Sequence, residues 1–421
     1  MSPVRPDIRV VGVPLDPEHY RLRDYLIRAA QPFEWLEANS PRAQALLVEH
    51  GLVDPELPVV FDGNDVYVGA TFEQLAERWQ QKVDPTRSHY DIAVVGAGPA
   101  GLAAAVYAAS DGLTTVVLER DVPGGQASHT SMIENFFGFP DGIGGAELAR
   151  LAGRQAEKFG AELIFLRGVI GGRLDPGGPA LLQLADGPEL TASVTLVAPG
   201  MEWRRLDVPG IDELLNRGVY YGAGRSEAPR CSGDDVAVVG AGNSAGQAVL
   251  HLAHHGARVV ILVRGDRLGK NMSAYLVERI EADPRIEVRL QTEVVEVHAN
   301  ETNLAGITVA NAEGKTERLA ARALFLCIGG VPNTAWATET NVRLSDTGYI
   351  LTGPDLLEGG SRPAGWPLDR DPLALETSVP GLFAAGDARN GSTKRVAGAV
   401  GEGAMAVALA HRRLEELRAE T

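Results

Sequence analysis

The chain has 421 residues, too many for one hydrophobic core, and divides into two or three domains. It is 45% hydrophobic and 22% charged, the balance of a soluble globular protein, and its net charge of −16 argues against a nucleic-acid surface. MSPVRPDIRV lacks the apolar stretch of a secretory signal, no apolar run is long enough for a membrane span, and 2 cysteines cannot build a disulfide framework, so cytoplasm is the expected location.

The first block spans residues 1–81. IRVVGV (8–13) predicts a strand, 18–30 a helix, PFEWLEA a second strand and 41–50 a second helix. LPVVFDGNDVYVGA predicts a hairpin turning at Asp62, Gly63 and Asn64, and 71–82 predicts a closing helix. Residues 82–89 form a polar linker. From Tyr90 the pattern becomes strand, glycine turn, alanine-rich helix, strand: YDIAVVGAGPAGLAAAVYAASDGLTTVVLER. It recurs at 234–264 as DDVAVVGAGNSAGQAVLHLAHHGARVVILVR, so two βαβ units imply two nucleotide-binding domains. A Pro/Gly-rich insertion covers 352–373, and 401–418 predicts a terminal helix. The expected fold class is α/β, with two Rossmann-like (three-layer ββα) nucleotide-binding domains behind a small N-terminal α/β block.

Gly96, Gly98, Pro99, Ala100 and Gly101 form the first G-x-G-x-x-G turn. Its glycines permit the tight turn, the approach of a pyrophosphate and close helix–strand packing, while the helix start offers N–H donors. Glu119 ends the next strand where a carboxylate binds a ribose diol, with Arg120 beside it. The second turn has Gly240, Gly242, Asn243, Ser244 and Ala245. Its following strand ends at Arg264, near Arg267 and Lys270; an arginine there favours the 2′-phosphate of NADPH over NADH, although a solvated basic loop would look the same. Two dinucleotides in one chain suggest a flavin and a nicotinamide. In TSVPGLFAAGDARN, Gly386 and Asp387 end a strand where the carboxylate can bind a ribityl hydroxyl, and the helix after Lys394, Arg395 and Val396 points its first amides at the flavin. Lys394 and Arg395 either favour electron-rich flavin or an anionic acceptor, or are a solvated pair.

The ordered motifs VVGAGPAG, PGGQ (123–126), IENFFGFP (133–140), VVGAGNSA, IGGVPNT, TSVPGLFAAGD and GAVGEGA resemble the low-molecular-weight thioredoxin reductase family from about Tyr90 onward. The resemblance implies FAD and NADPH, a homodimer, an FAD-binding domain split between 90–204 and 325–421, and an NAD(P)H-binding domain at 205–324. It also places Gly125, Gln126 and Asn135 by the flavin. The N-terminal block resembles a glutaredoxin or thioredoxin-like domain, with Leu57-Pro58-Val59 at the cis-proline position and Asp16-Pro17-Glu18-His19 where such domains keep C-x-x-C. His19 reads as a surface histidine.

The family keeps a redox-active C-x-x-C before its second glycine turn. Counting back from Gly240 by that spacing reaches Ser226 and, three residues earlier, Ala223. Cys231 is displaced from both positions, and Cys327 sits in the apolar LFLCIGG and reads as a core residue. Serine and alanine cannot form a dithiol. The first reading is therefore an oxidoreductase that takes hydride from NADPH, or NADH, and reduces a small non-disulfide acceptor directly from FAD. Tyr220, Tyr221, Arg225 and Ser226 would then line the space for the acceptor, or the tyrosines are ordinary packing beside a strand; His129 is a candidate proton donor or a structural residue, and Trp366, Asp369 and Arg370 would form a lid. The alternatives are a ferredoxin/flavodoxin–NADP reductase-like protein, disfavoured by the acidic net charge, and a non-catalytic flavin-binding interaction protein. No metal, nucleic-acid or membrane site is expected.

Overall fold

The computed structural model describes residues 7–420 except 15, 72–73, 76–83, 175–177, 186, 223–226, 271 and 302. Among the described residues the long helices are α1 (Pro17–Arg28), α2 (Pro41–Glu49), α3 (Pro99–Ser110), α4 (Gly145–Lys158), α5 (Asn243–His254), α6 (Ala274–Ala282) and α7 (Val396–Glu420). The chain forms two compact units: Met1–Gln80, His129–Ser131 and Trp203–Gly329 make the first, and Gln81–Ser128, Met132–Glu202 and Gly330–Thr421 the second.

In the first unit, the N-terminal block starts α1 with an N-cap. Asp16 accepts the N–H groups of Glu18 and His19 at 2.9 and 3.2 Å, and Pro17 occupies the first turn. Ser40 and Pro41 start α2 the same way. The four strands lie in the order Phe33–Glu37, Ile8–Gly12, Val59–Asp62, Asp65–Val68; the first pair is parallel and the others antiparallel. The hairpin turns where expected, and the Leu57–Pro58 peptide is cis. The expected helix over 71–82 falls mostly outside the described residues; Gln74 and Leu75 are helical. His19 is a correction to the surface reading: it is 6% exposed, because its Nδ1 accepts the Val13 N–H at 2.9 Å and seals the turn into α1.

The rest of the first unit is a five-stranded parallel sheet: Val219–Tyr221, Ala323–Leu326, Asp235–Val239, Arg258–Val263, Ile286–Leu290. Strands buried on both faces read as unbroken apolar runs, as VAVV and VVILV do. One face packs on α5 and α6 through Val236, Val238, Val249 and Leu276. The other packs on a three-stranded antiparallel sheet, 292–320, through Val239, Ile307 and Val309.

The second unit repeats this three-layer plan. His89–Val95 pairs in parallel with Thr115–Leu118 and Glu189–Val197, and the sheet continues into antiparallel strands at 169–184. Alanines make α3 both a strong helix former and a thin one, so α7 packs close against it. α7 begins at Val396, earlier than the expected 401, and absorbs Gly398, Gly401 and Gly403. A side chain at 403 would collide with the Ala100 backbone, which explains a glycine inside this helix.

The insertion at 352–373 is fixed to the body of the second unit, which corrects the expectation of a lid. Arg370 donates to Glu376 at 2.6 Å and to Glu416 of α7 at 2.6 and 2.9 Å, while Trp366 donates to the Arg370 carbonyl at 2.6 Å. Glu376 is 0% exposed, and this half-buried arginine is its counter-ion. Asp369 is paired with Arg362 in the same segment at 2.9 Å.

Candidate functional site

The first glycine turn follows the strand His89–Val95 directly. Gly96 has φ +105°, and a Cβ there would stand 2.9 Å from the Ala198 carbonyl carbon, so only glycine fits. Gly98 is the N-cap of α3, has open space where a Cβ would be, and leaves the helix start without a side-chain cap. That combination of free amides and an open cradle suits a pyrophosphate. Pro99, Ala100 and Gly101 form the first turn of α3, where Ala100 and Gly101 are buried. Glu119 ties the turn from across the sheet by accepting the Ala97 N–H at 2.8 Å and the Asp121 N–H at 3.0 Å. Burial raises its pKa above 4.5, and the two N–H bonds pull the other way. A carboxylate with two such bonds keeps lone pairs for a ribose diol. Arg120 is exposed and pairs with Glu202 at 3.3 Å.

The PGGQ loop covers this turn. The Gly124 N–H reaches the Ala97 carbonyl at 2.7 Å, and Gly125 packs next to Gly98. Gln126 donates to the Met201 carbonyl at 2.9 Å, and Asn135 is exposed. His129 sets its ring edge-on to Trp203, 6.0 Å between centroids.

Beside the first turn, where a Cβ at 386 would stand 3.1 Å from that of Ala100, Gly386 (φ +78°) donates its N–H to Glu402 of α7 at 2.7 Å, and Glu402 also grips Arg389 at 2.7 Å. Sequence reasoning passed over Glu402, although the GAVGEGA motif contains it. Burial raises the pKa of Asp387, with Lys394 opposing and Glu402 reinforcing the rise. Lys394 donates to the Asp387 carbonyl and lies 4.2 Å from the centre of the Tyr349 ring, with φ +53°. Burial lowers the pKa of that ammonium, opposed by Asp387. Lys394 is therefore held in place, which disposes of the solvated-pair reading for it. Arg395 is exposed, and Val396 is the first residue of α7.

In the first unit, Gly240 (φ +146°) follows Asp235–Val239, and a Cβ there would lie 3.0 Å from the Cys327 carbonyl carbon. Gly242 caps α5 with open space around it and no side-chain cap, a second cradle for a pyrophosphate. Asn243 accepts the Ser273 N–H at 2.7 Å, Ser244 is exposed, and Ala245 is fully buried. Arg264, Arg267 and Lys270 are exposed past Arg258–Val263, without an acidic partner among the described residues.

The expected lining of an acceptor space is only partly met. Tyr220 takes the packing role and not the lining one: it is 3% exposed, packed between Tyr20 at 5.3 Å and Phe325 at 5.4 Å, because α1 covers this edge strand. The Tyr221 hydroxyl accepts the Leu206 N–H at 3.0 Å. Ala223, Arg225 and Ser226 lie outside the described residues. Cys231 and Cys327 are buried and unbridged, and burial pushes each thiol up to about 12. Among the described residues no group of three metal-ligating side chains comes together.

Residues 90–403 match the family model of pyridine nucleotide-disulphide oxidoreductases. The chain is 31% identical to a thioredoxin reductase of Bacillus subtilis over 332 residues, covering 78% of this chain and 96% of that one. It is 35% identical to NADPH-dependent thioredoxin reductase 3 of Arabidopsis thaliana, covering 77% of this chain and 58% of that protein. The crystal structure of Lactococcus lactis thioredoxin reductase superposes with a TM-score of 0.69 at 27% identity, over 78% of this chain and 99% of that one. With its paired glycine turns, split second unit and three-layer sheets, the chain belongs to the pyridine nucleotide-disulphide oxidoreductase family and is thioredoxin reductase-like within it.

Proposed function

We propose that this chain is an FAD-dependent NADPH oxidoreductase that delivers electrons from its flavin to an acceptor other than a disulfide. Its cofactors are FAD and NADPH. Bound FAD supplies the two-electron relay between nicotinamide and acceptor. The remaining work falls to the chain. Gly96, Gly98 and the start of α3 receive the FAD pyrophosphate, Glu119 the ribose, and Asp387 with the start of α7 the flavin half. Gly240, Gly242, Arg264 and Lys270 receive NADPH. Lys394, held beside Asp387, keeps positive charge near the flavin half.

The observation that carries the reading is the placement of the thiols. The chain has 2 cysteines, both are buried, and both have pKa values pushed up to about 12, so neither is a thiolate at neutral pH. The positions that resemblance assigns to a dithiol hold Ala223 and Ser226. The N-terminal block adds no cysteine. The order and directions of its strands support a thioredoxin-like domain that has lost thiol exchange.

Stopped-flow mixing with NADPH tests the reading. Bound FAD should bleach within seconds, a small quinone should sustain turnover, and Cys231→Ser should change neither. Disulfide reduction that disappears in Cys231→Ser would overturn it, as would a flavin that NADPH does not bleach.

The homodimer implied by resemblance has support in an apolar groove between α3 and α4, a cavity of about 620 Å³ lined by Leu102, Val106, Phe136, Phe139, Leu148 and Leu151. Sedimentation at micromolar concentration decides it. Among the described residues no helix is long and apolar enough to cross a membrane.

A further inference from the structure

Glu227 and Arg230 carry more buried charge than dinucleotide binding asks of them. Glu227 is 2% exposed and holds two guanidinium groups: Arg23 of α1, itself 3% exposed, and Arg230 at 3.2 Å. Arg23 lies 4.9 Å from the centre of the Trp35 ring and 5.7 Å from that of Tyr20. Tyr20 packs on Tyr220, which stacks on Phe325 within the parallel sheet. Arg230 also reaches the Pro14 carbonyl at 3.4 Å and the Glu37 carboxylate at 3.5 Å. Three parts of the N-terminal block, the turn at Pro14, α1 and the strand Phe33–Glu37, thus converge on one surface of the nucleotide-binding fold.

Charged side chains are almost never fully buried unless paired, and a buried pair is costly to separate. A seam that opened during each catalytic cycle would have to rehydrate Arg23 and Glu227 and then bury them again. Four buried polar atoms here, Arg23 Nε and Nη1, Trp35 Nε1 and Arg230 Nε, have no hydrogen-bond partner among the described residues. Arg23 is satisfied by charge and by aromatic faces instead. None of this chemistry serves a dinucleotide, and all of it serves attachment.

We propose that the N-terminal block is a resident intramolecular partner, clamped through Arg23–Glu227 and Tyr20–Tyr220 onto the face of the NAD(P)H-binding fold formed by Tyr220, Glu227 and Arg230. Glu227 directly follows the positions where resemblance locates a dithiol. A protein docking on Tyr220, Glu227 or Arg230 would first have to displace the clamp. The clamp stands on its own contacts; its consequence, that the acceptor is a small molecule, rests on the functional reading above.

The test uses the full-length FAD-loaded protein with a protease recognition sequence placed in the polar linker at 82–89. After cutting, the N-terminal fragment should remain bound through gel filtration at micromolar concentration. Arg23→Ala should weaken its retention about 100-fold or more, because Glu227 loses a buried partner. Tyr20→Ala should weaken it about 10-fold, and serves as the deciding variant if Arg23→Ala does not fold. Release of the wild-type fragment on cutting, or retention unchanged in both variants, would overturn the clamp. NADPH bleaching is read in the same samples. Loss of the fragment with bleaching intact sinks the clamp alone, and retention without bleaching sinks the functional reading alone.

Discussion

Gly403 of α7 rests on the backbone of Ala100 in α3, so closely that a Cβ at 403 would stand 2.9 Å from the Ala100 carbonyl carbon. Ala100 belongs to the first glycine turn, so this contact sets how near α7 comes to the proposed FAD cradle. Gly403→Ala should push the two helices apart at a cost of about 1–3 kcal/mol. The expected result is a lower melting temperature and purified protein with less than half the wild-type flavin content. Absorbance and calorimetry check both.

Glu119 offers a test through pH. Its pKa lies above 4.5 because burial outweighs the Ala97 and Asp121 hydrogen bonds. A raised carboxylate pKa contributes stability that is fully present below the unfolded value and is lost as pH rises through the folded one. Glu119→Gln removes that titration and leaves one buried N–H unpaired, at about 1–3 kcal/mol. In flavin-free protein, the melting temperature of wild type minus variant should therefore shrink as pH rises from below 4.5 toward neutrality. A difference that grows with pH would show that the hydrogen bonds outweigh burial.

Arg370 separates a structural insertion from a moving lid. It is the counter-ion of the buried Glu376 and also binds Glu416. Arg370→Met should strand Glu376 in the core and cost about 3–5 kcal/mol. Limited proteolysis should then cut within 352–373 while the KM for NADPH stays unchanged. A variant that keeps its stability but loses turnover would restore the lid.

The two glycine turns were legible because their spacing, the apolar strand before them and the small-residue helix after them agree locally. Glu119 and Arg264 were legible for the same reason, since each ends the next strand. What escaped were pairings over long stretches of chain. Arg23 and Glu227 are 204 residues apart, and nothing in EAPRC marks its glutamate as buried. Arg370 reads as part of a loop because neither Glu376, six residues on in irregular chain, nor Glu416 of α7 is marked as its partner by any local pattern. His19 looked superficial because a polar neighbourhood conceals an imidazole turned inward to cap the backbone of Val13.

The last prediction follows from one structural position occupied twice. After the strand Thr115–Leu118 the chain places Glu119; after the corresponding strand Arg258–Val263 it places Arg264. A carboxylate suits a ribose diol and repels a phosphate; a guanidinium does the reverse. Arg264 is exposed and has no acidic partner among the described residues, so a 2′-phosphate would compete with water rather than with a carboxylate. A charge-assisted hydrogen bond of this kind is worth about 1.5–3 kcal/mol. Arg264→Ala should accordingly raise the KM for NADPH by about 10- to 100-fold and leave that for NADH within a factor of about two. Adding Lys270→Ala should abolish the remaining preference, because Lys270 supplies charge without the planar fork that fixes the phosphate. Parallel loss with both nucleotides would mean that Arg264 supports the loop rather than reading the phosphate. Steady-state flavin reduction with the two nucleotides decides between these.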